Sequence, residues 1–444
     1  MIHRSEYSAN DWIRTRLESL LPRLAADWSV PLKRNNYLFT FAFFALAAFA
    51  GSASMALFVG AGIWAILSLG LYRFDLVADR GARLIALVFA AYYMSGVVNT
   101  VVHWGDRESL HLLIQRLPFL GFLPVLSRLS LSKGSVTLEA LENGALAGIA
   151  LATPVAVVQL FQSNARPEAF SGNPSMYALA MTVLFVVACV AAGRRGGRAE
   201  LYFWAGAAAA AFCILVAGTR AMWPMLLIAP LAAWYFLRVP EAPRLMNWRV
   251  FAVLITVLTI AGAMVSERVL IRIDAMYDEL ADTAGETQIG GSIKTRFGMW
   301  RCALGIASDH PLTGNGVDGA RGAMRECARD DKYRWSALSH FHNFALDALA
   351  KGGLIELVVR LLALIAPPAV FFMRAMRVDT VEPVRNPVLV LTVLMAATFL
   401  LSGSFGIFLG HDIADALYLY TMVSLCCISM NSVGGSHPIR IETT

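Results

Sequence analysis

The feature that most constrains this chain is a series of continuous apolar segments, each long enough to cross a lipid bilayer as a helix. Of the 444 residues, 57% are hydrophobic and 15% are charged, which is typical of a polytopic membrane protein. The segments do not alternate polar with apolar residues, so helices are expected rather than a β-barrel. The sequence therefore predicts an all-α polytopic membrane protein with about 12 transmembrane helices. They fall at 37–52, 54–72, 84–102, 109–126, 137–161, 173–192, 200–217, 221–237, 250–266, 353–373, 387–408 and 413–430.

The basic residues predict how these helices are oriented. In the short loops, 21 Lys and Arg fall on one side of the predicted membrane and 3, namely Arg107, Arg166 and Arg220, fall on the other. Because cytoplasmic loops carry the excess of basic residues, both termini are expected to be cytoplasmic. This distribution also accounts for the net charge of +6, so the charge is no sign of nucleic-acid binding.

Polarity divides the chain into five parts. Residues 1–36 are predicted to be a cytoplasmic segment, in which an interfacial helix would be kinked at Pro22. Residues 37–266 hold the first nine predicted transmembrane helices. Residues 267–339 are the only long hydrophilic stretch and are predicted to form one large periplasmic loop containing short helices. Residues 340–430 hold an amphipathic helix start and the last three transmembrane helices, and residues 431–444 are a cytoplasmic tail.

Polar side chains, two of them titratable, gather where the long loop meets the next helix, at His340, His342 and Asn343. The chain has none of the phosphate-loop, His-Glu-x-x-His or Gly-x-Ser-x-Gly motifs of soluble enzymes. Histidine accepts protons well near neutral pH, so we predict that His342 is a general base. If the helix begins near Ser339, His342 lies in its first turn, whereas His340, displaced by about 200°, faces another way. The helix N-terminus and nearby arginines are expected to keep His342 neutral.

Arginines near the outer ends of helices are the candidates for binding phosphate, because a guanidinium is a preferred partner of that group. Arg220 lies in a very short turn between two predicted spans, and Arg166 precedes an Asn-Pro helix start. Arg296 and Arg301 lie in the long loop. Arg116 lies inside the fourth predicted span, where a charge is costly and favours a functional role unless the side chain reaches the interface.

The six cysteines divide into two groups. Cys302 and Cys327 both lie in the long loop, where an oxidising compartment would allow a disulfide between them. No cysteine spacing resembles a zinc site, and no metal site is predicted. The remaining four lie in predicted spans and are expected to be small buried hydrophobic residues: Cys189, Cys213, Cys426 and Cys427.

Four segments between about 160 and 360 resemble, in the same order, signatures of the O-antigen ligase and polymerase superfamily. Arg166 to Pro174 resembles its Arg…Gly-x-x-Asn-Pro-Asn segment, and Thr219-Arg220-Ala221 its Ser-Arg-Gly segment. Pro311 to Val317 resembles its Pro-x-x-Gly-x-Gly turn. His342-Asn343 followed by Gly353 to Glu356 resembles its His-Asn…Gly-x-x-Gly signature. The chain departs from the pattern at Ser175, Ala221 and Glu356, where Asn, Gly and Gly are common.

This resemblance implies an inverting, metal-independent glycosyltransferase of the bacterial inner membrane, with a glycosyltransferase-C-like fold and no cofactor. The implied donor is O-antigen polysaccharide on undecaprenyl pyrophosphate, and the implied acceptor is lipid A–core oligosaccharide at the periplasmic face, among membrane lipids. The pyrophosphate would be held by Arg220 and Arg296, with Arg301 and Arg166 nearby. Second-tier candidates are His340, Asn343 and Arg116.

Two alternatives stay open at this point. The first is another transferase of the same superfamily, either an O-antigen polymerase or a protein O-oligosaccharyltransferase. One dominant outer loop directly before the histidine helix favours the ligase. The second is a polysaccharide or lipid transporter, which would show symmetric halves and charges at mid-depth of the membrane. The sequence shows no half-to-half symmetry, and its charged candidates cluster at one face.

Overall fold

The structure is a computed structural model, and it describes residues 31–71, 74–162, 166–237, 292–330, 339–377 and 385–431, together with Thr259 alone. Within these ranges all regular secondary structure is helical, and turns and loops join the helices. The first helices are α1 (Pro31–Leu46), α2 (Ala53–Gly70), α3 (Arg80–Val102), α4 (Arg107–Arg116), α5 (Phe122–Leu129), α6 (Gly134–Gln162), α7 (Pro174–Arg194) and α8 (Gly197–Ala217). They are followed by α9 (Trp223–Phe236), α10 (Ser292–Asp309), α11 (Val317–Asp330), α12 (Phe344–Arg377), α13 (Arg385–Phe405) and α14 (Asp412–Asn431). Two 3-10 helices, Leu117–Gly121 and Arg220–Met222, precede α5 and α9.

Nine helical segments of the described ranges are long and apolar enough to cross a membrane. Each coincides with one of the twelve predicted spans, and one of them, Arg107–Leu129, consists of α4, a 3-10 turn and α5. Two further predicted spans are present as the shorter helices α1 and α9, of 16 and 14 residues. Apart from Thr259, the predicted span at 250–266 lies outside the described residues, as does the N-terminal interfacial helix. The all-helical, multi-pass architecture is thus confirmed for this part of the chain.

The bundle is organised around α7 and α14. In each of these helices 94% of the apolar window is buried, against 33% in α2 and in α3. Both central helices contact α6 and α13, and α14 also contacts α2, α5 and α12. The outer helices keep one apolar side exposed, as Ile63, Trp64 and Leu67 of α2 do. Such exposed apolar side chains are the expected contact with lipid.

The long helix α12 is broken at Gly353, whose φ of 65° and ψ of −159° are not helical. The break frees the carbonyl oxygens of Ala350 and Lys351, which accept hydrogen bonds from Asn315 N (2.9 Å) and Gly316 N (3.0 Å). It also frees the amide of Leu354, which donates to Pro311 O at 2.8 Å. The turn at 311–316 therefore replaces the missing helical hydrogen bonds, as buried backbone groups require. Two segments that are separate in the sequence form one backbone unit, which we call the turn–helix splice (311–316 with 350–355).

Gly353→Ala is expected to destabilise the protein by about 3 kcal/mol or more, because the backbone there adopts a conformation essentially reserved for glycine. A Cβ at this position would also lie 2.3 Å from the carbonyl carbon of Leu312, a backbone atom that cannot move aside. The unfolding midpoint of the purified variant measures the effect.

Gly322→Ala is the matched control for this substitution. Gly322 lies inside α11 with nothing within 4 Å of the added Cβ, so alanine there should be neutral or stabilising. Equal unfolding midpoints for the Gly353 variant and wild type would contradict the strain assigned to the splice.

Two helices of the long loop, α10 and α11, pack on each other and on α12. Met299, Ala303 and Met324 form a second hydrophobic core with Phe341 and Ala350. A disulfide joins Cys302 of α10 to Cys327 of α11, with 6.2 Å between their Cα atoms. The predicted short helices in the loop are therefore present in its described part. The four cysteines in the bundle are buried and form no disulfide with one another.

The carboxylate of Asp106 joins the loop helix α11 to the bundle helix α4. Asp106 caps α4 by accepting from Ser109 N (2.8 Å), and it caps α11 by accepting from Val317 N (2.8 Å) and Asp318 N (3.0 Å). Burial raises the pKa of Asp106, but these hydrogen bonds outweigh it and lower the pKa to about 2. The carboxylate is therefore ionised at neutral pH, as a shared helix cap requires.

Candidate active site

The segment with the two histidines is not helical. The helix begins at Phe344, and Asn343 is its N-cap, because the Asn343 Oδ1 accepts from Ala345 N (3.0 Å) and Leu346 N (3.1 Å). His342 precedes this cap with a φ of 49°, in the left-handed region that few non-glycine residues adopt. The expectation that His342 lies in the first helical turn is therefore wrong, because the helix is capped by Asn343 and does not begin near Ser339.

The rings of His340 and His342 face each other, with 4.2 Å between their centroids and 50° between their planes. The expectation that His340 faces another way is also wrong, because it assumed helical spacing across a segment that is not helical. Both side chains are half-buried. The two imidazoles are therefore in contact, so a change in one alters the surroundings of the other.

Both imidazoles are shifted towards the neutral form. Burial, and then the neighbouring His342, lower the pKa of His340 to about 3. Burial, and then the positive charge of Arg296, lower the pKa of His342 below its usual value of 6.5, while Asp347 opposes the shift. Neutral histidine is the form that accepts a proton. His342 is thus held in the neutral form by burial and by Arg296 rather than by a helix N-terminus.

If His342 is the general base, the acidic limb of the pH–rate profile should lie below pH 6.5, because only protonation of His342 removes the base. Replacing Arg296 by Gln should move this limb upwards, since the guanidinium is one cause of the lowered pKa. The profile of kcat/KM in wild type and variant tests both points. The lowered pKa of His342 also reduces the free energy of unfolding as the pH falls below 6.5, because the unfolded chain then binds a proton more tightly than the folded protein does.

Arg296 reaches the histidines because α10 packs against their segment. Trp300, one turn further along α10, donates from Nε1 to Phe341 O at 3.1 Å. The Arg296 guanidinium carbon lies 5.9 Å from the centroid of the Phe405 ring, at the end of α13. Asn343 Nδ2 donates to Ser404 O at 3.3 Å, beside that ring. The C-terminal end of α13 therefore lies next to both Arg296 and the histidine segment.

Arg220 lies at the same end of α13. It opens the 3-10 helix Arg220–Met222, which packs against α13, and it follows Gly218, whose φ of 63° ends α8. Arg166 supports this turn, since its Nε donates to Ala217 O (2.6 Å) and its Nη2 donates to Thr219 Oγ1 (2.9 Å). Arg220 itself is half-exposed and has no hydrogen-bond or ion-pair partner among the described residues. Arg301 is exposed on α10, five positions beyond Arg296 and hence on a different side of that helix.

The structure thus brings His340, His342, Asn343, Arg296 and the turn of Arg220 to one end of the bundle. Residues 205–361 match the O-antigen ligase family model. The match confirms, for this stretch, the resemblance to the O-antigen ligase and polymerase superfamily seen in the sequence. No curated protein matches the chain.

The O-antigen ligase match covers about a third of the chain, and Arg220, Arg296, Arg301 and both histidines fall inside it. Arg166 and Arg116 lie before its first residue. Both motifs of the turn–helix splice also fall inside it. Among the described residues, no group of three or more His, Cys, Asp and Glu is placed to hold a metal ion.

Arg116 is paired with a buried carboxylate inside the bundle. Its side chain is 1% exposed and forms two hydrogen bonds with Glu356, Nη2 to Oε1 at 2.6 Å and Nη1 to Oε2 at 2.9 Å. The alternative that this side chain reaches the interface is therefore wrong, because its partner Glu356 is buried, whereas its role as a second-tier site residue stays a prediction. Glu356 stands where the O-antigen ligase signature commonly has glycine, and Arg116 explains how a carboxylate is accommodated there.

A second set of buried charges supports the histidine segment and escaped the sequence analysis. Lys351 Nζ lies 2.7 Å from Asp347 Oδ1, and Arg360 Nε lies 2.7 Å from Glu356 Oε1. Asp347 also accepts from Phe341 N at 3.4 Å, and Lys351 donates to Ser339 O at 3.4 Å. The signal in the sequence was the spacing of four between opposite charges on one apolar helix.

Proposed function

We propose that this protein transfers O-antigen polysaccharide from undecaprenyl pyrophosphate to lipid A–core oligosaccharide at the periplasmic face of the bacterial inner membrane. The observation that supports this most is the neutral, half-buried His342 beside the positive charge of Arg296. Proton acceptance and anion binding are the two tasks of such a transfer, and they meet here within an O-antigen ligase domain.

In the proposed reaction, His342 takes the proton of the acceptor hydroxyl as its oxygen attacks the anomeric carbon of the donor sugar. The bond between that carbon and the pyrophosphate oxygen breaks, the configuration inverts, and the lipid pyrophosphate leaves with the electron pair. Arg296 and Arg220 stabilise the charge that develops on the leaving group. Arg166 acts as a positioning residue for Arg220, since its guanidinium binds the turn that carries it.

A transporter is the second candidate, and the buried charges of α12 are the observation in its favour. These charges pair with one another and with Arg116, and they support the histidine segment. Transport would require them to change partners, whereas transfer requires them to stay fixed. The paired arrangement therefore favours the transferase.

Arg220→Lys is expected to lower the transfer rate about tenfold or more, because an ammonium cannot form the two parallel hydrogen bonds of a guanidinium. Arg220→Ala should cost about a hundredfold. Rates are measured with purified variants at equal protein amounts. Arg325→Lys, on an exposed arginine of α11, is the matched control and should keep the wild-type rate. Full activity in Arg220→Ala would remove Arg220 from the donor site.

Deletion of the gene, followed by analysis of the lipopolysaccharide, tests the proposed function as a whole. A ligase deletion should leave polymer on the carrier lipid and expose bare core. Single-repeat caps on the core would instead identify a polymerase. Lipopolysaccharide of wild-type size and amount would refute both.

A further inference from the structure

The disulfide between Cys302 and Cys327 lies on the helix that carries Arg296. Cys302 follows Arg296 by six positions in α10, which is about 9 Å along the helix axis. Between them, Trp300 Nε1 donates to Phe341 O at 3.1 Å, in the segment of the two histidines. The position of α10 therefore determines how close the Arg296 guanidinium comes to the histidines.

The apolar contacts between α10 and α11 are small. The second hydrophobic core has nine buried residues in the described part of the chain, and four of them are alanines, namely Ala303, Ala320, Ala328 and Ala350. An alanine buries a single methyl group and so contributes little to the free energy of packing. Small cores commonly depend on covalent links, and here the disulfide joins the two helices within the core.

The other end of the disulfide belongs to a helix that the bundle holds at several points. Asp106 caps the N-terminus of α11, and Arg321 of α11 pairs with Glu108 of α4 at 2.7 Å. The turn at 311–316, just before α11, is part of the turn–helix splice. Since α11 is fixed to α4 and α12 in this way, the disulfide extends that restraint to α10.

The histidine segment has attachments of its own that do not involve α10. Asn343 Nδ2 donates to Ser404 O at 3.3 Å, which ties the segment to α13. Lys351 Nζ donates to Ser339 O at 3.4 Å, which ties it to α12. Loss of the disulfide is therefore expected to leave the histidines in place and to displace the groups that α10 carries.

The groups that act on His342 come from three directions. Burial and then Arg296 of α10 lower the pKa of His342, Asp347 of α12 opposes the shift, and His340 contacts its ring within the segment. For His340, burial is the largest cause of the lowered pKa. A displaced α10 would therefore raise the pKa of His342 while the pKa of His340 stays low.

We propose that the Cys302–Cys327 disulfide is a positioning element of the candidate active site, which holds Arg296 beside His342. Its effect on transfer rests on the proposed function, in which Arg296 stabilises the leaving pyrophosphate. A dithiol can reduce the bond, because its two thiols are oxidised to a cyclic disulfide while both cysteines become thiols. The arrangement makes the position of Arg296 dependent on an oxidising compartment.

The test measures the pKa of both histidines by NMR in the full chain, purified in detergent with isotope-labelled imidazole rings. The two signals are identified by their loss in His342→Gly and in His340→Ala. In the double substitution Cys302→Ala, Cys327→Ala, at unchanged helix content, the pKa of His342 should rise towards 6.5 and that of His340 should stay low. Dithiothreitol should cause the same change in the wild type, which keeps the test decisive if the double variant does not fold.

Two controls accompany this measurement. Cys213→Ala removes a buried thiol of the bundle and should keep the wild-type pKa values and the response to dithiothreitol. In an Arg296→Gln background, loss of the disulfide should change the pKa of His342 little, because the displaced charge is already absent. Transfer by the double cysteine variant should fall about tenfold.

The outcomes separate this proposal from the proposed function. An unchanged pKa of His342, or an equal rise of the pKa of both histidines, would overturn the proposal. In the first case the bond does not position Arg296, and in the second it holds the whole segment. A rise confined to His342, in a wild-type protein that transfers no sugar, would support the positioning role and refute the proposed function.

Discussion

Replacement of His342 by glycine is expected to reduce transfer by about 10²–10⁴-fold while the protein keeps its fold. The loss follows from removing the proposed general base. The fold should persist because His342 has a φ of 49°, which glycine adopts without strain. Free imidazole should restore part of the rate by occupying the space beside Arg296. Initial rates with and without added imidazole, at matched protein amounts, measure both effects.

The second histidine provides the control for this prediction. His340→Ala should reduce transfer less than His342→Gly does, because burial lowers the pKa of His340 to about 3 and makes it a poor proton acceptor. It should not respond to imidazole. A larger loss in His340→Ala, together with rescue by imidazole, would transfer the role of base to His340.

Glu356→Ala should destabilise the protein by about 3–5 kcal/mol, because it leaves two buried guanidinium groups without their carboxylate. Both Arg116 and Arg360 bind Glu356 directly, and each of the three side chains is 1% exposed. Ser95 Oγ also donates to Glu356 at 2.7 Å and would lose its acceptor. The unfolding midpoint and the yield of folded protein in detergent report the loss.

A double substitution separates the ion pair from the packing. Arg116→Met combined with Glu356→Gln removes both members of the closest pair, and the double variant should lose less stability than the sum of the two single substitutions, because each single substitution also includes the cost of leaving the other member of the pair without its partner. Glu108→Ala is the surface control, since Glu108 pairs with Arg321 at 2.7 Å but is 42% exposed. Its effect should stay within about 1 kcal/mol. Additive effects of the single substitutions at positions 116 and 356 would contradict the coupling.

The sequence predicts the helices well where the signal is local. Apolar runs mark nine membrane-length helices in the described part of the chain, because each helix satisfies its own backbone hydrogen bonds. The arginine and histidine candidates were recognisable because polar residues stand out against apolar helices. Arg296, His342 and the turn of Arg220 do lie at one end of the bundle.

The errors arose where distant residues decide the local conformation. Phe341 is buried against α10 and bound by Trp300, so the segment before Asn343 does not extend the helix backwards. Arg116 finds its partner 240 positions away in Glu356, a distance that no helical spacing rule covers. The break at Gly353 depends on the turn at 311–316, whose backbone groups form hydrogen bonds with the helix groups that the break leaves unpaired. These contacts exist only once the helices have packed.

The turn–helix splice has a consequence for protein engineering. It limits how the loop helices α10 and α11 can be exchanged with those of another protein. A graft that ends before Ser339 would pair the turn of one parent with the broken helix of the other, across at least three backbone hydrogen bonds. A Cβ added at Gly314 or Gly353 would overlap the backbone of the facing segment, so the turn and the broken helix cannot be shifted against each other. The transferable cassette therefore runs from Ser292 beyond Ile355, and it carries the histidines with it.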